Sequence, residues 1–156
     1  MNLLTNLLSL ANVALDVEAH DKRGALEHVA CVFESNQGLS ASRILDSLLA
    51  REDLGSTGLG KGVAIPHGRL RGLKRALAAI VRVKDPIEFD SPDGQPVRVL
   101  VVLLVPEQAA QQHLNILSEL AQMLSEPSMR EQLQTIAQPA ALLATVAAWE
   151  PIRPAA

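Results

Sequence analysis

The chain has 156 residues, 48% of them hydrophobic and 20% charged, with a formal net charge of −3. A chain of this length suits one domain that buries about 68–70% of its unfolded surface, and its charge excludes a strongly basic nucleic-acid face. With no Tyr, one Trp and two Phe, a base-stacking surface is excluded as well. A single cysteine, Cys31, rules out an internal disulfide.

Met1 to Ala14 is leucine-rich, but it lacks Lys and Arg and is interrupted by Asn2, Thr5, Asn6, Ser9 and Asn12. It therefore does not read as a signal peptide, and no apolar run reaches the roughly 20 residues of a membrane span. A cytoplasmic protein without membrane insertion is expected. Residues 2–10 suit a short helix covering the core edge, and Val13 to Val17 a first strand. Asp21 is placed to cap a helix whose Ala25, Leu26, Val29, Ala30 and Phe33 fall at helical spacing, with Asn36 and Gly38 ending it. Cys31 falls within that apolar pattern and reads as a small core side chain. His20 and His28 read as solvated histidines without a role. Ser40 or Ser42 opens a second helix with Ile44, Leu45, Leu48 and Leu49 inward, ending at Arg51-Glu52-Asp53.

Beyond the glycine-rich stretch that follows, Arg69, Arg71, Lys74 and Arg75 cluster; they suit an acidic partner's landing patch or an ordinary solvated loop. Ala76 to Val83 reads as a buried strand broken by Asp85-Pro86, and Ser91-Pro92-Asp93-Gly94 as a turn. Val97 to Val105 is almost unbroken Val and Leu, the pattern of a strand covered on both faces, and Pro106 stops it. A long helix follows from about Gln108 to Ser125, facing inward with Ile116, Leu117, Leu120, Met123 and Leu124. His113 shares that face near the helix start. Helices over Met129–Ala137 and Ala140–Trp149 close the chain, with Trp149 packing the terminus down. The domain is expected to span 1–150, with 151–156 a frayed tail.

The chemistry concentrates in Gly55-Ser56-Thr57-Gly58-Leu59-Gly60-Lys61-Gly62-Val63-Ala64-Ile65-Pro66-His67-Gly68-Arg69. Glycine-rich backbone can turn N–H groups toward an anion. Pro66 fixes its own φ and keeps Ile65 extended, and Gly68 leaves one side of His67 uncrowded. The imidazole is thus presented at the end of a short strand, beside amide donors and Arg69. With an ordinary pKa of about 6.5 it is largely neutral at pH 7, so it needs no general base to attack phosphorus. A P-loop is excluded because Gly62 stands where Ser or Thr must hold Mg²⁺, and because Val-Ala-Ile-Pro follows in place of a helix. A dinucleotide fingerprint fails at Val63. The four histidines are too scattered for a metal site, and no Gly-x-Ser-x-Gly elbow is present.

Gly55-Ser56-Thr57-Gly58, Gly62-Val63-Ala64-Ile65-Pro66-His67-Gly68 and the upstream Arg51-Glu52 resemble the signature of the type-2 EIIA component of the bacterial sugar phosphotransferase system, the fructose/mannitol/nitrogen-regulatory class. The nitrogen-regulatory branch is the nearest match, and the similarity runs roughly from Leu15 to Ala137. The resemblance implies a single α/β domain, a mixed β-sheet sandwiched between α-helices. It implies that His67 is the phosphoryl acceptor, that His113 supports it and that Arg51 stabilises the phosphoryl group. Read from the residues alone, Arg51 suits a helix-end cation paired with Glu52 or Asp53, and His113 a partly buried core histidine. Ser56, Thr57 and the backbone at Gly68 are the expected phosphate-binding groups. No metal or cofactor is expected, since arginine and amides can neutralise a phosphoryl group.

The expected donor is the phosphohistidine of a small HPr-like carrier (NPr or HPr). The expected recipient is a regulatory target linked to nitrogen or potassium metabolism or, alternatively, a fructose- or mannitol-specific IIB protein. Such a chain is a phosphohistidine carrier, a phosphotransferase component, and not a multiple-turnover small-molecule enzyme. The absence of a fused IIB or membrane part favours regulation over transport. A binding module that keeps the fold without carrying phosphate is the bland alternative.

Overall fold

The apolar run Val97–Pro106 forms strand β6, the axis of a mixed sheet in a computed structural model that describes residues 2–108 and 110–152. Every residue of Val99–Val105 is buried, because helices cover both faces. The other strands are β1 (Leu8–Val17), β2 (Gly58–Gly60), β3 (Val63–Ala64), β4 (His67–Leu70) and β5 (Leu77–Ile87). The sheet order is β1-β5-β6-β3-β2, with β4 also on β6. Strand β5 is antiparallel to β6, whereas β3 and β4 run parallel to it, pairing Val63 with Val99 and His67 with Leu103. The glycine-rich stretch is therefore laid end to end along the most buried strand of the molecule.

Helices α1 (Lys22–Gln37) and α2 (Ala41–Asp53) cover one face. Helices α3 (Ala110–Leu124), α4 (Pro127–Thr135) and α5 (Pro139–Ala148) cover the other. The start of α1 is set by Asp21, whose carboxylate accepts the Gly24 N–H at 2.7 Å, and its end by Gly38 at φ 71°. Ser40 caps α2, accepting the Arg43 N–H at 3.4 Å. Trp149 is 7% exposed and donates its indole N–H to Glu126 Oε2 at 3.0 Å.

Four features differ from the sequence reading. Residues 2–10 do not form one helix: a 3₁₀ turn covers only Leu3–Asn6, and β1 begins at Leu8. Asn2 explains the short turn. Its side chain caps the turn by accepting the Thr5 N–H, while its amide donates to Val146 O and Trp149 O at 2.8 Å, binding the segment to α5. Strand β5 runs through Asp85-Pro86 to Ile87. The ladder shifts register between Arg82 and Ile87, and Lys84, Asp85 and Pro86 are exposed there, where a missing N–H costs no ladder bond. Cys31 is exposed, on the outward side of α1, because the buried stripe passes through Val29, Ala30 and Phe33. The expected tail is tethered at its start: Ile152 N–H donates to Gln122 Oε1 at 2.6 Å, and residues 153–156 lie outside those described.

Candidate functional site

Three elements converge on one cleft of about 380 Å³. The last turns of α2 supply Ser47, Arg51 and the cap residue Leu54; β4 supplies His67, Gly68 and Arg69; the start of α3 supplies His113. His67 stands at the first residue of β4, just past β3 and Pro66, and not at the end of the strand before it. Position 68 admits no side chain, since a Cβ there would meet Ser47 Oγ at 2.3 Å. The absent side chain lets α2 lie against β4, which brings Arg51 to the histidine.

The His67 ring is held at both nitrogens. Nδ1 lies 2.8 Å from the Ile65 carbonyl oxygen, and Nε2 lies 3.2 Å from Arg51 Nε. A carbonyl oxygen only accepts, so Nδ1 carries the proton. A guanidinium only donates, so Nε2 carries the lone pair. The two partners thus fix the tautomer and aim the nucleophilic nitrogen into the cleft. Arg51 is itself anchored by donating from Nη1 to Gly55 O at 2.7 Å. No contact of Arg51 with Asp53 or Glu52 competes among the described residues.

His113 meets His67 edge to face, with ring centroids 5.2 Å apart and an interplanar angle of 67°. Its Nε2 is buried without a hydrogen-bond partner, an arrangement that costs stability unless a ligand or water completes it. Burial pushes the His67 pKa below its ordinary value; the Ile65 carbonyl opposes that shift, and Arg51 reinforces it. Burial also lowers His113, with His67 and Arg69 adding to the shift. Both rings are therefore neutral at pH 7.

These shifts set the sign of a pH dependence. The unfolded chain takes up both protons near pH 6.5, the folded chain only at lower pH, so the unfolded state binds more protons in between. Stability is at its full value above about pH 6.5 and falls as pH drops below it, by at most about 1.4 kcal/mol per pH unit for each histidine. Urea unfolding at pH 7.5, 6.5 and 5.5 is expected to show that decline, and a His67→Gln/His113→Gln variant to flatten it.

Ser56 and Thr57 do not line the cleft. Ser56 Oγ donates to Phe89 O at 2.6 Å and accepts the Gly58 N–H at 3.0 Å. The Thr57 hydroxyl donates to Glu52 Oε2, and its N–H donates to Glu52 Oε1 at 3.1 Å. Both side chains spend their hydrogen bonds on shaping the loop. Glu52, which the sequence reading took only as a possible partner of Arg51, is 7% exposed and also accepts from Lys22 Nζ at 3.1 Å. The signal was its phase: Ile44, Leu48 and Glu52 follow at intervals of four on the buried side of α2. Thr57 O then accepts the Ile65 N–H at 3.0 Å, and Ile65 O accepts from His67. A chain of hydrogen bonds thus runs from Lys22 through Glu52, Thr57 and Ile65 to the imidazole. Ser47 and Leu54 were also missed; Leu54 is 85% exposed at the cleft.

Residues 6–149 match the family described as phosphoenolpyruvate-dependent sugar phosphotransferase system, EIIA 2. The chain belongs to the type-2 EIIA family. Among type-2 EIIA relatives, the nitrogen regulatory protein of Pseudomonas aeruginosa is 39% identical over 133 residues, covering 85% of this chain and 86% of that protein. The crystal structure of the nitrogen regulatory protein IIA-Ntr from Neisseria meningitidis superposes with a TM-score of 0.87 at 43% identity, over 92% of this chain and 98% of that one. Enzyme IIA for mannitol from Escherichia coli, solved in complex with phosphorylated enzyme IIB, shares the fold, with a TM-score of 0.71 at 19% identity over 88% and 97% of the two chains. The mixed sheet between two helical layers is thus the type-2 EIIA fold. Among the described residues no helix is long and apolar enough to cross a membrane.

Proposed function

We propose that this type-2 EIIA protein carries a phosphoryl group on His67 Nε2. The observation that supports it best is the two-sided restraint of the imidazole, Nδ1 on the Ile65 carbonyl and Nε2 on Arg51. The donor is the phosphohistidine of an HPr-like carrier. The Nε2 lone pair forms the new N–P bond as the donor's N–P bond breaks, and that electron pair returns to the donor's imidazole. No proton is transferred at the phosphorus. Arg51 leaves Nε2 as phosphorus arrives and donates to the phosphoryl oxygens, and His113, whose Nε2 has no partner, donates to another. The Gly68 backbone lines the same cleft. The Ile65 carbonyl keeps the proton on Nδ1, so the phosphorylated ring stays cationic and is a good leaving group for the next transfer.

A phosphoryl group adds about −1.5 to −2 at the mouth of the cleft, enough to make or break an interface. The nitrogen-regulatory relatives favour a regulatory carrier whose phosphorylation state governs partners in nitrogen and potassium metabolism. The mannitol enzyme IIA seen with phosphorylated IIB favours a second reading, transfer to a sugar-specific IIB protein.

Intact-mass spectrometry after incubation with phosphoenolpyruvate, enzyme I and an HPr-type carrier tests the reading. One acid-labile phosphoryl adduct is expected, absent in His67→Ala, with NMR placing phosphorus on Nε2. No adduct from a carrier shown to be active would reduce the protein to a binding module.

A further inference from the structure

A second pocket, of about 580 Å³, lies toward the other end of β6. It is lined by Lys61 and Gly62 between β2 and β3, by Asp93 and Gln95 of the connection between β5 and β6, by Arg98 at the start of β6, and by Gln134 of α4. Val63, next to Gly62, pairs with Val99, and His67 pairs with Leu103; four residues of strand set the two sites about 13 Å apart.

The pocket gathers cations whose guanidinium N–H groups are not all satisfied. Arg98 Nε is buried and has no hydrogen-bond partner, and neither has Arg82 Nε. Arg82 lies on the neighbouring strand, opposite Val99, and is 4% exposed. It donates once, from Nη1 to Leu133 O at 3.0 Å. Burial depresses its pKa, Asp16 opposes that shift and the nearby Arg98 adds to it. Among the described residues no carboxylate pairs with Lys61, Arg82 or Arg98 within 4.0 Å. Asp93 is engaged by backbone, accepting the N–H groups of Lys61 at 2.8 Å and Gln95 at 3.0 Å. Buried guanidinium N–H groups left without acceptors are costly, and a planar fork of donors matches a phosphoryl group.

We propose that this pocket binds the phosphoryl group of a small phosphate monoester. Arg98 and Lys61 meet the phosphoryl oxygens, with Arg82 behind them adding charge. The Gln95 and Gln134 amides face the polar remainder of the molecule. The volume falls in the usual range for small-molecule sites and exceeds what a bare phosphate fills. The site is separate from His67, so it stands or falls independently of the carrier reading.

The test is a side-chain and backbone ¹H–¹⁵N NMR titration at constant ionic strength with inorganic phosphate, glucose 6-phosphate and glucose. Saturable shifts are expected at Arg98 Nε–H and the Gly62 amide with both phosphates, tighter with glucose 6-phosphate and absent with glucose. Arg98→Met keeps the apolar stem and is expected to weaken binding at least tenfold while phosphorylation at His67 continues. Lys61→Met, an exposed change, gives the same direction should Arg98→Met fail to fold. No saturable shift at Arg98, shifts unaltered by both variants, or shifts confined to Arg51 and Arg69 would each overturn the proposal. Binding of inorganic phosphate without the monoester would overturn it as well, leaving an adventitious ion only.

Discussion

Replacing Arg51 by alanine is expected to slow phosphoryl transfer to His67 by about 10²–10³-fold, the usual cost of losing one preorganised donor to an oxyanion. Arg51 contributes twice. It aims Nε2 by donating to it at 3.2 Å, and its charge helps hold the imidazole neutral. The variant therefore has a second signature: without that cation the His67 pKa rises, so the acid limb of the rate profile moves to higher pH. Arg51→Lys keeps charge but loses the planar fork and the anchor on Gly55, and is expected to fall between the two. Single-turnover transfer from a phosphorylated HPr-type carrier, followed across pH 5–8, measures both effects. An Arg51→Ala rate within threefold of wild type would remove Arg51 from the site.

Glu52→Ala is expected to cost about 3 kcal/mol of stability, near the lower end for breaking a buried ion pair. The lower end applies because Lys22 keeps 19% side-chain exposure and can partly resolvate. The deletion strands the Thr57 hydroxyl and N–H, and frees the loop whose Ile65 carbonyl holds His67 Nδ1. Two measurements are called for: the urea midpoint, and ¹⁵N shifts of the His67 ring. A lower midpoint with a ring that now samples both tautomers is the expected result. A lower midpoint with an unchanged Nδ1–H tautomer would show that Glu52 serves folding alone. Glu52→Gln, which keeps one acceptor, is expected to lose less.

What sequence could disclose depended on how strongly each residue's surroundings constrain its type. Val97–Val105 was legible because a strand buried on both faces tolerates almost nothing but Val and Leu, and Asp21 and Gly38 because helix ends need those chemistries. Of the three short strands around the site, only the one ahead of His67 was legible. Two to four residues rich in glycine carry no periodicity, and their pairing with β6 is purely tertiary. Pro86 misled because local preference opposes a strand, while a register shift at the exposed end of an inner strand accommodates it. Cys31 misled because its type says buried while its helical phase says outward. His67 was visible as a candidate from its Pro66-His67-Gly68 setting, and Arg51 and His113 through the family resemblance. Ser56 and Thr57 share that loop, yet their hydroxyls turn to Phe89 and Glu52, an orientation that no spacing rule encodes.

The seating of His67 on β4, within the ladder of the central strand and between two packed helical layers, bears on how information would leave this protein. Close-packed interiors of this kind have low compressibility. A phosphoryl group added there has little to push against except the facing side chains of Arg51 and His113. Any partner that distinguishes the two forms would then sense the added charge directly, within a Debye length of roughly 8 Å. Its preference would weaken as salt rises. The message would travel as an electrostatic label on an unchanging surface, and one donor placed by the listener would suffice to read it.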